Sequence, residues 1–257
     1  MERALQDPGK NGAWILVTGA SRGIGRSIAA TLIAGGNRII GVSRSRSPEM
    51  EGLTQIPFDL RRLSELSHLW EEVMRHADAV AAVVLNAGVG HIKRFVEEGA
   101  DTCMEVMTIN FMAPYLLARE AVAYWQARQA QGHLIFIGSQ AGLPGGGQAL
   151  NSLYSASKAS LHSLVSSLSR ELGPLIRVNA VAPGDVLTDL AKQSAEDFVS
   201  LSVDHRSVEE YLETVSERST LRRWVAPSEI ADAVKYLLHN EAVTGTILNV
   251  SAGTTIY

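Results

Sequence analysis

Trp14-Ile15-Leu16-Val17-Thr18-Gly19-Ala20-Ser21-Arg22-Gly23-Ile24-Gly25 is the stretch whose reading decides the fold. Its first five residues form a short apolar run of the kind that fills the middle of a parallel sheet, where both faces are covered. A turn with three glycines follows, and then Ile24, Ile28 and Leu32 recur at helical spacing up to Gly35-Gly36, a natural helix stop. Strand, glycine turn and helix in this order are the first half of a βαβ unit. Gly19 permits the tight turn, Gly23 lets the backbone approach a pyrophosphate, and Gly25 lets the helix pack close to the strand. The amides at the helix start can then receive phosphates. A flexible surface loop is the competing reading, and the order of the elements argues against it.

Outward from this unit the chain keeps alternating. Apolar runs predict further strands at Arg38–Ser43, Ile56–Leu60, Ala79–Leu85, His133–Ile137, Ile176–Ala182 and Thr246–Val250. Between them, helical spacing places Leu63, Leu66, Trp70 and Val73 on one face, and predicts helices from about Asp101 to Ala130, from Tyr154 to Leu172, and from Pro227 to Leu238. The result is an α/β chain with one domain over residues 13–257, preceded by a polar leader over residues 1–12. From Asp185 to about Trp224 strand character is lost and acidic residues accumulate, which reads as a mobile substrate lid built from a solvated helix pair.

Composition narrows the function classes. Of 257 residues, 46% are hydrophobic and only 19% charged, as in a folded globular protein. The formal charge of −4, without a run of Lys or Arg, gives no footprint for nucleic acid or a membrane surface. Cys103 is the single cysteine, so no intrachain disulfide forms, and the seven histidines have no ligand-like pairing; no metal site is expected. His91 stands shortly after Asn86-Ala87-Gly88, close enough in sequence to reach the pocket, and an ordinary loop residue is the favoured reading. The lone cysteine, the absence of an apolar signal segment and the lack of a run of 18 apolar residues make a cytoplasmic protein the expectation.

Two further stretches carry chemistry. At the end of the second strand a dinucleotide fold usually places an acid on the adenosine ribose, but here Ser43-Arg44-Ser45-Arg46 stands instead. A guanidinium fork suits a 2′-phosphate and gains little from a ribose hydroxyl, which favours NADP(H) over NAD(H). Arg44 is the leading contact, with Arg22, Ser43 and Arg46 secondary. The second stretch is Tyr154-Ser155-Ala156-Ser157-Lys158, where phenol and ammonium four residues apart share a helix face and can reach one small molecule. A tyrosine acting near neutrality needs its pKa lowered by roughly 3 pH units from about 10, or about 4 kcal/mol; Lys158 and an oxidised nicotinamide are sources. Ser139 lies at the end of the fifth strand, where ligands of parallel sheets collect. Asn110 interrupts an apolar helix and must be either a satisfied bridging amide or an anchor for water or lysine near the site.

With the glycine turn, Asn86-Ala87-Gly88, Asn110, Ser139, Tyr154, Lys158 and Pro183-Gly184 in this order, residues 13–253 resemble the short-chain dehydrogenase/reductase family, and the pattern from Ile137-Gly138-Ser139 to Gly147-Gln148-Ala149 resembles its 3-oxoacyl-thioester reductases. The resemblance implies a Rossmann-type doubly wound sheet of seven parallel strands, usually assembled as a homotetramer. It assigns Gly19, Ser21, Arg22, Gly23, Ile24 and Gly25 to the cofactor turn, Asp59 and Leu60 to the adenine contact, and Asn86, Ala87 and Gly88 to support beside the cofactor. Pro183, Gly184, Val186 and Thr188 would touch the nicotinamide amide and pyrophosphate. Ser139 would hold the substrate oxygen and Tyr154 would exchange its proton. Lys158 would bind the nicotinamide ribose and lower the tyrosine pKa, and Asn110 would support a relay water. The implied activity is hydride transfer between NADP(H) and a small-molecule carbonyl or secondary alcohol; the competing class is a cofactor-sensing scaffold without turnover. The 15 residues from Ser139 to Tyr154 exceed the family's commonest spacing, so Leu143-Pro144-Gly145-Gly146-Gly147 is expected to reshape the pocket. Val250-Ser251-Ala252-Gly253 stands where the family commonly has Val-Asp-Gly-Gly.

Overall fold

Apolar residues pointing alternately to the two faces of a strand need cover on both sides. In the computed structural model, which describes residues 12–201 and 207–255, the run Trp14–Thr18 (β1) is central. It pairs in parallel with Arg38–Ser43 (β2) on one side and Val80–Leu85 (β4) on the other. Leu53–Pro57 (β3), Gly132–Ile137 (β5), Ile176–Pro183 (β6) and Ile247–Val250 (β7) complete a parallel sheet in the order β3-β2-β1-β4-β5-β6-β7. The expected doubly wound, seven-stranded sheet is therefore the one found.

Ile15 and Val17 face helices α1 (Gly23–Ala34) and α8 (Pro227–His239), meeting Ile28, Leu32, Ile230 and Leu237 in one apolar layer. Leu16 faces the other layer, where α2 (Leu66–His76), α4 (Ala113–Ala127) and α5 (Ser152–Leu172) bury Trp70, Leu117, Trp125 and Leu161 against β4 and β5. Trp125 ties this layer together: its Nε1 donates to the Val80 carbonyl at 2.7 Å, and its ring occupies the space a side chain at Gly132 would need.

Two elements differ from expectation. The third strand is Leu53–Pro57, ending where the apolar reading of Ile56–Leu60 was centred. It is an edge strand, mostly half-buried, so Thr54 and Gln55 sit in it without cost, and Pro57, lacking an N–H, ends it. Phe58-Asp59-Leu60 is consequently loop at the C-terminal edge of the sheet. The helix expected from about Asp101 to Ala130 runs from α3 (Ala100–Met107) into α4, interrupted by a π-helical turn over Thr108–Met112. Such a turn inserts one extra residue into a helix and is frequent at functional sites.

The insertion after β6 is a helix pair, α6 (Asp189–Leu201) and α7 (Val208–Glu217), joined across stacked Phe198 and Tyr211 rings with centroids 4.5 Å apart. Ser207 and Glu210 form a reciprocal capping box at the start of α7. The ends of the insertion are pinned: Val186 bridges Val225 in parallel, and Val225 N–H donates to the Asp185 carbonyl at 2.9 Å. The leader expected over residues 1–12 lies, apart from Gly12, outside the described residues. Among the described residues no helix is long and apolar enough to cross a membrane.

Candidate active site

Strand order reverses between β1 and β4, so the loops leaving them diverge and open a crevice at the C-terminal edge of the sheet. A cleft of about 840 Å³ occupies it. Gly19, at φ +70°, turns the chain out of β1 in a conformation that a side chain would strain. Asn86, leaving β4, closes the two strands together: its Nδ2 donates to the Thr18 carbonyl at 2.9 Å, and the Asn86 and Ala87 N–H groups donate to Thr18 Oγ1 at 2.9 and 3.0 Å. A Cβ on Gly25 would lie 2.5 Å from Asn86 Nδ2 and overlap the Gly19 carbonyl, so this junction closes only around glycine. The start of α1 has neither a side-chain cap nor an acid in its first turn. Its first-turn amides are thus available to an anion.

At the rim, Ser43 and Arg44 leave β2 and face Asp59 and Leu60 from the loop after β3. Asp59 is held by Arg61 at 2.6 Å, and this hydrogen bond, with a smaller contribution from Arg44, lowers its pKa. Arg44 itself is exposed on the cleft wall, whereas Arg46 lies outside the lining. Apart from Arg46, the residues expected to bind the cofactor, from Gly19, Ser21, Arg22, Gly23, Ile24 and Gly25 through Asn86, Ala87 and Gly88 to Pro183, Gly184, Val186 and Thr188, line this single cleft. Glycines, bare helix amides and a guanidinium at the rim are a donor set that fits a dinucleotide phosphate.

The reactive groups meet where β5 ends and α5 begins. Helix α5 starts at Ser152, so Tyr154 is in its first turn and Lys158 follows one turn later on the same face. Lys158 Nζ donates to the Ile137 carbonyl at 2.9 Å and lies 5.7 Å from the centroid of the Tyr154 ring. The ammonium is buried, and desolvation lowers its pKa from 10.5 to about 8. Gly88 makes room for it, since a Cβ there would sit 3.3 Å from Nζ. The Ser139 hydroxyl accepts from Ala141 N–H at 3.1 Å, which leaves its own proton to donate elsewhere. Burial raises the Tyr154 pKa, a hydrogen bond with Ser139 lowers it, and the Asp185 charge raises it. Within the chain alone the balance keeps the phenol above its ordinary 10.0 and therefore protonated at neutrality.

Asn110 does not join them in the cleft lining. Its Oδ1 accepts from Val89 N–H at 2.9 Å, and its Nδ2 donates to the Val89 carbonyl at 2.8 Å and to Ser157 Oγ at 2.9 Å. The side chain is the bridging amide of the two alternatives open from sequence, clamping the loop after β4 to α5. Its backbone lies in the π-helical turn over Thr108–Met112.

The other end of the cleft holds groups that sequence reading did not single out. Gln140, Gln148, Asn151, Asp185 and Arg218 line it; His91, which the sequence did flag, is a loop residue that also lines the cleft, with its Nε2 3.9 Å from Glu105 Oε2. Gln140 is oriented by Thr255, whose Oγ1 donates to Gln140 Oε1 at 3.0 Å across 115 positions of chain. A carboxylate directly after Pro183-Gly184, at the end of a buried strand, was the available signal for Asp185.

The sequence model of the short chain dehydrogenase family matches residues 13–198. The chain belongs to this family. It is 32% identical over 253 residues to an uncharacterised oxidoreductase of Bacillus subtilis, covering 93% of this chain and 97% of that protein. It is 30% identical over 252 residues to a 3-oxoacyl-[acyl-carrier-protein] reductase of Aquifex aeolicus, covering 93% and 95%. Among solved structures, a variant of actinorhodin polyketide ketoreductase with NADPH superposes with a TM-score of 0.87 at 28% identity, covering 96% of this chain and 98% of that one. As a member of the short-chain dehydrogenases the protein is an oxidoreductase that uses a nicotinamide cofactor, and its relatives support hydride transfer to a carbonyl.

Proposed function

We propose that the protein is an NADP(H)-dependent reductase of ketones, with Tyr154 as general acid in reduction and general base in the reverse direction. The observation that carries this is the convergence of the Tyr154 phenol, the Ser139 hydroxyl and the Lys158 ammonium at the end of β5, inside the cleft that also holds the glycine turn. When bound, the nicotinamide supplies or accepts the hydride.

The chain does the rest. Ser139, with its oxygen held by Ala141 N–H, donates its proton to the substrate oxygen and fixes the carbonyl beside the phenol. Tyr154, kept protonated by burial, delivers a proton to that oxygen as charge develops. Its pKa above 10.0 is too high for efficient transfer near neutrality, so a positive charge must arrive with the cofactor or from Lys158. Lys158, anchored by the Ile137 carbonyl, keeps two N–H groups for the cofactor ribose. The Asn110 carbonyl, in the π-helical turn, is the group that would hold a water to resupply the proton. Arg44 at the rim suits a 2′-phosphate, and Asp59, the acid on which its charge acts, is already held by Arg61. The helix pair α6–α7 acts as the substrate lid, contributing Leu190, Ala195 and Val215 to the cleft wall. The names of the relatives favour ketones of 3-oxoacyl or polyketide type.

Purified protein is tested for NADPH and NADH oxidation with 3-oxoacyl thioesters, diketones, quinones and cyclic ketones. NADPH turnover is expected, falling about a thousandfold or more in Tyr154→Phe, with Arg44→Ala raising KM for NADPH and not for NADH. Preference for NADH would remove the assignment to Arg44. Tight NADPH binding without turnover of any ketone would favour a sensor over an enzyme.

A further inference from the structure

Tyr154, Lys158 and His162 follow one another at single-turn intervals along one face of α5. Lys158 holds the Ile137 carbonyl at 2.9 Å. One turn on, the buried His162 places Nδ1 3.1 Å from the Gly142 carbonyl. A carbonyl only accepts, so Nδ1 carries the proton and donates. The same ring presses on Gly138, where a Cβ would overlap Nε2. Ser139 sits between these two grips. It opens the 3-10 turn Gln140–Gly142, its Oγ accepting from Ala141 N–H at 3.1 Å and its carbonyl from Gly142 N–H at 3.0 Å. A Cβ on Gly142 would lie 2.6 Å from the Ala159 nitrogen, so the far end of the turn rests directly on the backbone of α5. The segment 137–142 is thus fastened to α5 at both ends, and Tyr154 belongs to the same helix.

Packing alone does not account for an imidazole at this position. Its Nε2 is shielded from solvent and has no hydrogen-bond partner among the described residues. Burial lowers the pKa of the ring, the Gly142 bond opposing and the Lys158 charge adding to this, so His162 is neutral near pH 7 and Nε2 is a bare acceptor. An apolar side chain would fill the same space without burying an unpaired nitrogen. What it could not supply is the donor at Nδ1. His162 also lies outside the cleft lining, so any effect on the reaction passes through the groups it holds. We propose that His162 is a positioning residue, which sets the Ser139 hydroxyl against the Tyr154 phenol by clamping the turn Gln140–Gly142 to the helix that carries the phenol. The proposal rests on the reading of Ser139 and Tyr154 as the holders of the carbonyl, and adds the side chain that fixes their separation.

The test compares His162→Leu, which keeps the bulk and removes the donor, with His162→Asn, which keeps a donor at the Nδ1 position. With NADPH and the best ketone of the panel, kcat is expected to fall about ten- to a hundredfold in His162→Leu, with KM for NADPH changed by less than about twofold, and to recover most of the loss in His162→Asn. In a Ser139→Ala background the leucine substitution should change the residual kcat by less than about twofold, because the group it acts through is already gone. An unchanged kcat in His162→Leu, an equal loss in both His162 variants, or a full additional loss in the Ser139→Ala background overturns the proposal. Amide exchange at Ala141 and Gly142 gives a second readout that does not need turnover, expected to be faster in His162→Leu and restored in His162→Asn. That pattern supports the clamp even where the wild type reduces no ketone, in which case the reductase reading fails alone. Unchanged exchange in His162→Leu, beside normal ketone turnover, sinks the role of His162 and leaves the reductase reading intact. Should the leucine variant not fold, His162→Gln, whose donor falls at the Nε2 position against Gly138, takes its place with the same expectations.

Discussion

Replacing Lys158 by methionine should make the fold more stable at neutral pH while abolishing catalysis. The ammonium is almost fully buried, and desolvation brings its pKa from 10.5 in the unfolded chain to about 8 in the folded one. At ~1.4 kcal/mol per pH unit, holding the charged form inside the protein costs about 3 kcal/mol at pH 7. Methionine fills a similar volume without charge. It also leaves the Ile137 carbonyl without its donor, which returns about 1–2 kcal/mol of the gain. The variant is therefore expected to be about 1–2 kcal/mol more stable at pH 7, a rise of roughly 2–8 °C in Tm for a chain of this size.

The pH dependence decides the cause. Below pH 8 lysine is protonated in both states and the penalty is whole. Between about 8 and 10.5 the folded state sheds its proton while the unfolded state keeps it, so wild-type stability rises with pH. The advantage of Lys158→Met should accordingly disappear by pH 10. Urea unfolding of both proteins from pH 7 to 10, read by circular dichroism, measures it. A variant less stable at pH 7, or a difference constant across the range, would falsify the claim that a strained buried charge is retained here for function.

Two other substitutions probe the site's frame. Gly25→Ala gains helix propensity worth about 0.5–1 kcal/mol, but its Cβ meets Asn86 Nδ2 at 2.5 Å and overlaps the Gly19 carbonyl. A net loss of about 1–3 kcal/mol with weakened cofactor binding is expected in urea unfolding and fluorescence titration, and a stabilised variant would refute the close packing of α1 on β4. Asn110→Ala strips three hydrogen bonds from Val89 and Ser157 and should cost about 2–4 kcal/mol, with faster amide exchange at Val89; unchanged exchange there would show that the clamp is not what holds the loop.

What this chain's sequence determined by itself is local or strongly patterned. The apolar run Trp14–Thr18, the glycine turn and the helix stop at Gly35-Gly36 are read correctly because strand period, turn chemistry and helix period each act over a few neighbouring residues. The Tyr154–Lys158 pairing was legible for the same reason, as four residues on a helix make one turn. The edge strand β3 was misplaced because burial on a sheet edge is partial and its apolar pattern is correspondingly weak. Only the tertiary structure decided the remainder. That Lys158 finds the Ile137 carbonyl, that the Asn110 side chain is spent on Val89 and Ser157, that Thr255 orients Gln140, and that Asp185 is left with an unpaired oxygen all depend on where α5, the π-helical turn and Thr255 come to lie relative to the sheet. Hydrogen-bond partners and desolvation are properties of what is brought close in space, and no local pattern encodes a neighbour 115 positions away.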